Sequence, residues 1–188
     1  MAKNREQPRK PKKSKPRRAD EATLMKAALA YLERYGTSRD NLRRVLMQRL
    51  ERAARAYGTD RQAGTEIIES ILDRCEAAGV LDDERYARRS AETYLASGES
   101  LRAIRSRLAR KGVALGLIED AVNALRSATP QPDVAAAIRL ARRRRLGPYR
   151  PPANREKYRD KDLGVLARAG FSFGLARKIV EAEDEETL

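Results

Sequence analysis

Apolar residues recur along this chain three or four positions apart, the spacing that places them on one face of an α-helix. In the middle of the sequence, Leu101, Ile104 and Leu108 share such a face. Their helix follows Ser100, a residue type that caps helix N-termini, and it stops at Gly112, a residue type suited to a helix end. No window alternates apolar and polar residues for long enough to indicate a strand, so the pattern predicts an all-α fold.

The predicted helices fall into three groups of three, separated by glycine, proline and capping residues. We place them at about 21–35, after Ser38 as far as Gly58, and 65–78; at about 82–97, after Ser100 as far as Gly112, and 116–125; and at about 133–146, 160–169 and 172–183. In the last group a loop is expected between the "GPYRPP" segment and residue 160.

The sequence also repeats itself. The stretch "LARKGVALGLIEDAVNAL" (108–125) matches "LARAGFSFGLARKIVEAE" (166–183), and "AALAYL" (27–32) matches "SAETYL" (90–95). Because a three-helix unit of about 50 residues is too small to be robust alone, we expect three tandem three-helix, helix-turn-helix-like repeats in an elongated, curved array. The predicted boundaries are 20–79, 80–128 and 129–183, with an acidic tail at 184–188.

Charge is distributed unevenly. The net charge is +14, and residues 1–18 hold nine Lys or Arg against one acid. A segment of this composition cannot bury enough apolar surface to fold alone, which predicts a disordered basic arm at 1–19. The arm either keeps the chain in solution or docks on phosphates.

Composition leaves little room for catalysis. Histidine is absent and Cys75 is the only cysteine, so there is no histidine base and no multi-cysteine zinc pattern. No Gly-rich phosphate loop occurs either, so few catalytic options remain, and carboxylates are the best of them. Cys75 lies at helical spacing with apolar neighbours and is expected to be buried. With no long apolar run and no signal-like N-terminus, the chain is expected in the cytoplasm, away from membranes.

Three consecutive acids, Asp82, Asp83 and Glu84, stand out in this basic chain. Successive residues on a helix point about 100° apart, so the three do not converge on one ion. Their position indicates a helix start, with Asp82 as the cap and the acids facing the positive end of the helix dipole. Contact of Asp83 or Glu84 with a partner is the second interpretation, and a metal site is the third.

Basic residues form the candidate binding surface. It comprises residues of the 101–111 helix and the run at 142–145, namely Arg102, Arg105, Arg110, Lys111, Arg142, Arg143, Arg144 and Arg145. Such clusters favour a polyanionic partner, either nucleic acid or a protein–nucleic-acid assembly. Helix-turn-helix recognition of DNA sequence is the alternative, although the second helix of the pair offers Glu119, Asp120 and Asn123 and the positive charge lies on the helix before it.

Around "GVLDDERYARRSAETYL" (79–95) the sequence resembles the RecX family, bacterial regulators of the RecA recombinase. The matching elements are Leu81, Asp82 and Asp83 ahead of Tyr86, and the Ile104 and Leu108 helix that ends at Gly112. The stretches "ALAYLERYGTSRDNLRRVL" and "LARAGFSFGLARKIV" are similar to the family's first and third repeats, so the resemblance covers about residues 24–182.

The resemblance implies three tandem three-helix repeats, no catalysis and no cofactor. It implies a regulator that binds RecA and its filament on single-stranded DNA, contacts the DNA backbone, and inhibits recombinase, ATPase and coprotease activities in DNA repair and the SOS response. We expect a monomer. The chain departs from the family pattern in its basic arm, its acidic end and a long insertion, "RRRRLGPYRPPANREKYRDK".

Overall fold

The computed structural model describes residues 18–184. In that range the chain forms nine α-helices and one short 3-10 turn, Gly147–Tyr149, and no strand. The helices are α1 Glu21–Arg34, α2 Arg39–Tyr57, α3 Arg61–Ala77, α4 Asp83–Ala96, α5 Leu101–Arg110, α6 Leu115–Ala128, α7 Pro132–Arg144, α8 Pro152–Arg168 and α9 Phe173–Val180. The all-α fold and its grouping of helices in threes are confirmed; we call the groups repeats 1, 2 and 3.

Side chains at the helix starts explain where most of these helices begin. Ser38, Asp82 and Ser100 each accept a hydrogen bond from the backbone N–H three residues later, which satisfies a donor that the helix itself leaves unpaired. The Asp82 bond, from the N–H of Arg85, measures 2.8 Å. Asp82 is therefore the cap that the sequence predicts.

Repeat 3 differs from the prediction. The loop expected before residue 160 is instead helical from Pro152, because proline at the first helical position brings a backbone angle already suited to a helix. The buried carboxylate of Asp162 anchors this region by accepting bonds from both Nε and Nη2 of Arg150, at 3.0 and 2.7 Å, and from the backbone N–H of Gly147 at 3.1 Å. The long insertion thus becomes the end of α7, the 3-10 turn and the start of α8.

Two hydrophobic clusters form the interior of the repeats in the part of the chain that the structure describes. Repeat 1 has its own cluster, built on fully buried residues such as Leu46 and Ile68 and extended by Leu81 from the start of repeat 2. The second cluster is continuous across repeats 2 and 3 and includes Ile104 and Leu166. The nine described helices therefore do not share one core, and repeat 1 buries its apolar residues in a separate cluster.

Neighbouring repeats are joined by the same pair of hydrogen bonds. At the first junction, between repeats 1 and 2, the Ser38 hydroxyl donates to the carbonyl of Lys111, and Asp83 accepts the backbone N–H of Arg39 at 2.6 Å. At the second junction, between repeats 2 and 3, the Ser100 hydroxyl donates to the carbonyl of Ala169 at 2.9 Å. There Asp133 accepts the backbone N–H of Leu101 at 2.8 Å. One capping serine and one first-turn aspartate thus serve each junction.

Glycines permit these close approaches. Gly112 and Gly170 end the equivalent helices α5 and α8 with φ angles of +75° and +93°. A Cβ atom at Gly112 would overlap the side chain of Asp40, and one at Gly170 would overlap the hydroxyl of Ser100. The glycine match between repeats therefore has a physical basis in both backbone conformation and inter-repeat contact.

Most of the predicted basic arm and nearly all of the acidic tail lie outside the described residues. Ala19, at the end of the predicted arm, is buried in the repeat 1 cluster. Cys75 is buried, as predicted, and burial raises the pKa of its thiol. None of the helices within residues 18–184 is long and apolar enough to cross a bilayer.

Candidate basic interface

The basic residues of α5 and its C-terminal cap differ in whether they make an ion pair within the protein. Arg102 is exposed and makes no ion pair with any described residue, and the half-buried Lys111 side chain also lacks one. Arg110 is exposed and donates to the Ser106 hydroxyl at 3.0 Å. These three residues remain available to an anionic partner.

Arg105 makes an ion pair that the sequence did not predict. Its guanidinium makes a two-point ion pair with Glu119 of α6, with Nε and Nη2 lying 2.7 and 2.9 Å from the two carboxylate oxygens. The pair raises the pKa of Arg105 and lowers the pKa of Glu119. Arg105 therefore links α5 to α6, and its charge is already balanced within the repeat.

The run at 142–145 lies at the exposed C-terminal end of α7. Arg142 places its guanidinium 5.8 Å from the centre of the Tyr149 ring. Arg143, Arg144 and Arg145 make no side-chain ion pair with the described residues, and Arg145 ends the helix in the left-handed region with φ +53°. Cations are favourable at a helix C-terminus, yet three of them here leave a concentrated positive charge in solvent.

The acid cluster at 82–84 is structural. Asp82 caps α4, Asp83 joins repeat 2 to repeat 1, and Glu84 pairs with Arg88 one turn later at 2.9 Å. Burial raises the pKa of Asp83, and the N–H and the charge of Arg39 offset part of that effect. Across residues 18–184 no group of three or more acids or cysteines is arranged to hold a metal ion.

The structure also reveals a cleft that sequence reasoning missed. It lies at the first junction, has a volume of about 570 Å³, and we call it the tyrosine cleft. Its lining includes four of the chain's seven tyrosines and four cations, Tyr31, Tyr35, Tyr86, Tyr94, Arg85, Arg89, Arg107 and Lys111. The match of Tyr31 with Tyr94 between repeats was visible in the sequence. That both face one cleft follows only from how the two repeats pack.

Comparison with known proteins identifies the family. The family model for the second three-helix domain of RecX matches residues 82–122. Regulatory protein RecX of Myxococcus xanthus is 38% identical over 170 residues, which cover 89% of each chain. This chain belongs to the RecX family. Regulatory protein RecX of Thermobifida fusca is 33% identical over 150 residues, covering 76% of this chain and 78% of the relative.

Two crystal structures of RecX share the fold. One is that of RecX from Lactobacillus salivarius, with a TM-score of 0.57 and 22% identity over 87% of this chain and 96% of the other. The second, described as regulatory protein RecX, gives a TM-score of 0.56 and 23% identity over 86% and 72% of the two chains. At this identity the similarity concerns the RecX fold alone.

Proposed function

We propose that this RecX chain is a non-catalytic regulator that binds RecA and the RecA filament on single-stranded DNA, in the cytoplasm and as a monomer. It inhibits the recombinase, ATPase and coprotease activities that serve DNA repair and the SOS response. The observation that carries the proposal is membership of a family of regulatory proteins over nearly the whole chain.

The unpaired cations give this proposal a contact surface. Arg102, Arg110 and Lys111 of repeat 2 and Arg143 to Arg145 of repeat 3 present positive charge that the described residues do not neutralise. A filament of protein on single-stranded DNA is long and carries phosphates, which suits a row of repeats with separate basic regions. Arg105 supports the surface from within through its pair with Glu119.

The same geometry disfavours recognition of DNA sequence by a helix-turn-helix. The exposed polar positions of α6 include Asp120, Asn123 and Arg126, and Glu119 is occupied by Arg105. A helix that reads base edges in the major groove needs several free donors facing the same groove. The positive charge of repeat 2 lies on α5 instead.

A titration of RecA's DNA-dependent ATPase tests the proposal. Purified protein is expected to slow ATP hydrolysis at stoichiometric or lower ratios at low salt, and less so as salt rises, because counterions screen contacts between charges. The double variant Arg143→Ala/Arg144→Ala is expected to need several-fold more protein for the same slowing.

A matched double variant, Arg55→Ala/Arg126→Ala, removes the same charge from exposed positions on α2 and α6 and should behave as the wild type. If the wild type does not slow the ATPase at low salt, the proposal is wrong. Equal loss in both double variants would mean that net charge alone, and not the end of α7, carries the effect.

A further inference from the structure

The tyrosine cleft combines aromatic rings with positive charge at a concave surface. Its volume of about 570 Å³ falls within the range of sites that take small organic ligands. It lies between α1 of repeat 1 and α4 of repeat 2, where the two separate hydrophobic clusters leave the junction unfilled.

Tyr35 offers the open aromatic face. It is the last residue before the turn after α1, and 51% of it is exposed. Tyr31 braces it, since the two ring centres lie 5.1 Å apart at a tilt of 50°. Tyr31 is held in turn by the side-chain amide of Asn41, which donates to its hydroxyl at 3.1 Å. An exposed ring supported from behind is a suitable platform for stacking.

The charge around the rings is positive, although two of the four lining cations, Arg85 and Arg107, make ion pairs with Asp82 and Glu99. Arg89 is exposed, and neither Arg89 nor Lys111 makes an ion pair with the described residues. Asp82 is the one acid among the described residues that line the cleft, and its carboxylate is occupied by capping α4. Arg107 lies 4.2 Å from the centre of the Tyr94 ring, so one face of that ring is already covered.

We propose that the tyrosine cleft binds a segment of single-stranded nucleic acid, with a base stacked on Tyr35 and the adjoining phosphates held by Arg89 and Lys111. Aromatic platforms beside a basic groove are the means by which proteins hold single strands without reading their sequence. A duplex keeps its bases stacked inside and offers none to Tyr35. An acidic peptide would use the cations and leave the exposed ring without a partner. This inference goes beyond the regulation of RecA, because it requires only the chain and the strand.

Fluorescence anisotropy with a 5′-labelled oligothymidylate and the full chain, without RecA and at low salt, tests the stacking. Tyr35→Ala is expected to weaken binding roughly tenfold, the typical cost of losing one stacked base. Tyr57→Ala is the matched control, since Tyr57 is 48% exposed at the end of α2 and lies outside the cleft. It should bind within about twofold of the wild type.

An abasic oligonucleotide with the same number of phosphates separates stacking from charge. The wild type is expected to bind it roughly tenfold more weakly than oligothymidylate, whereas Tyr35→Ala should bind the two probes equally. A Tyr35→Ala protein that had failed to fold would also lose its affinity for the abasic oligonucleotide. The two probes therefore distinguish loss of stacking from loss of folding. Equal binding of both probes by the wild type, or equal affinities of Tyr35→Ala and Tyr57→Ala, would overturn the proposal.

Salt dependence tests the phosphate contact. Arg89→Ala is expected to reduce the slope of log affinity against log salt by about 0.7, the value for one phosphate of a single strand. Arg126→Ala, which removes an exposed arginine from α6, should leave that slope unchanged. Displacement of the labelled strand by oligoglutamate of equal charge, as efficiently as by unlabelled oligothymidylate, would instead assign the cleft to acidic peptides and would overturn the proposal.

Discussion

The two junctions between repeats use the same polar contacts but differ in what surrounds them. Ser38 and Asp83 at the first junction correspond to Ser100 and Asp133 at the second. At the second junction a continuous hydrophobic cluster runs from repeat 2 into repeat 3. At the first junction the cluster of repeat 1 ends at Leu81, and the tyrosine cleft lies beyond it.

One pair of positions shows why the packing differs. Gly36 and Gly98 precede the two capping serines by the same two residues. A Cβ at Gly98 would lie 3.2 Å from the carbonyl oxygen of Ala136, whereas the nearest atom to one at Gly36 belongs to the Tyr86 ring, at 3.9 Å. Tyr86 and Ala136 both lie three residues after the junction aspartate. A small alanine lets α7 approach repeat 2 closely, whereas a tyrosine holds α4 away from repeat 1 and lines a cleft.

This comparison indicates that repeats 2 and 3 unfold as one unit and repeat 1 as another. Burial of apolar surface supplies most of the cooperativity of folding, and polar contacts contribute about 0.5–1.5 kcal/mol each. A junction made chiefly of hydrogen bonds therefore opens more readily than one that shares a core.

The largest expected effect on stability comes from shortening a buried side chain in one hydrophobic cluster at a time. Leu46 and Ile104 are both fully buried, one in each cluster. Leu46→Ala and Ile104→Ala should each cost about 2–5 kcal/mol, because each leaves a cavity. Amide hydrogen exchange should accelerate in α1 to α3 for Leu46→Ala and in α4 to α9 for Ile104→Ala. Acceleration across all nine described helices in both variants would show a single cooperative unit and contradict the comparison.

A smaller effect is expected at the capping serines. Ser38→Ala and Ser100→Ala each remove a helix cap and an inter-repeat bond, at a cost of about 0.5–2 kcal/mol for the cap. Ser38→Ala should also accelerate exchange at the start of α4, because little apolar contact remains to hold the first junction closed.

Ser172→Ala provides the control, since Ser172 caps α9 and its hydroxyl makes no inter-repeat bond among the described residues. If Ser100→Ala opened the second junction as much as Ser38→Ala opens the first, the shared core would not be what distinguishes them.

The smallest effect concerns the charge at the first junction. Burial raises the pKa of Asp83 above its ordinary value near 3.8, so the folded state holds a proton that the unfolded state releases. The associated stability is present below that value and is lost as the pH rises through the folded pKa. Asp83→Asn keeps an oxygen acceptor for the N–H of Arg39 without the charge. Urea unfolding from about pH 4 to neutral should show the variant gaining stability relative to the wild type as the pH rises.

The effect is small because Asp83 is partly exposed and water screens its charge. A constant difference between the two proteins over this range would mean that Asp83 titrates alike in the folded and unfolded states. A relative loss of stability by the variant with rising pH would mean that the charge on Asp83 stabilises the junction.

Local rules explain why so much of the fold could be predicted. Ser38, Asp82 and Ser100 cap helices through bonds three residues away, and such short-range contacts follow from sequence order alone. The prediction was wrong at Pro152. Proline often marks the end of a helix or a loop, but here it begins a helix. At this position the sequence supports either outcome, and the pair of Arg150 with the buried Asp162 favours the helix.

The candidate site was less predictable. Arg105 and Glu119 lie 14 residues apart on different helices, so their ion pair depends on how α5 packs against α6. The arginine run at 142–145, by contrast, was visible because consecutive cations without nearby acids need no tertiary partner to be recognised.

The sequence by itself determined most of the helices, their side-chain caps, the grouping in threes and the RecX family, because periodicity and capping act over a few residues and recur in each repeat. Only the tertiary structure decided which cations are free, that Asp83 joins two repeats, and that four tyrosines meet in one cleft. Those features depend on contacts between helices distant in sequence. Their geometry is set by side-chain volume at the junctions, where Tyr86 holds one pair of repeats apart and Ala136 lets the other close.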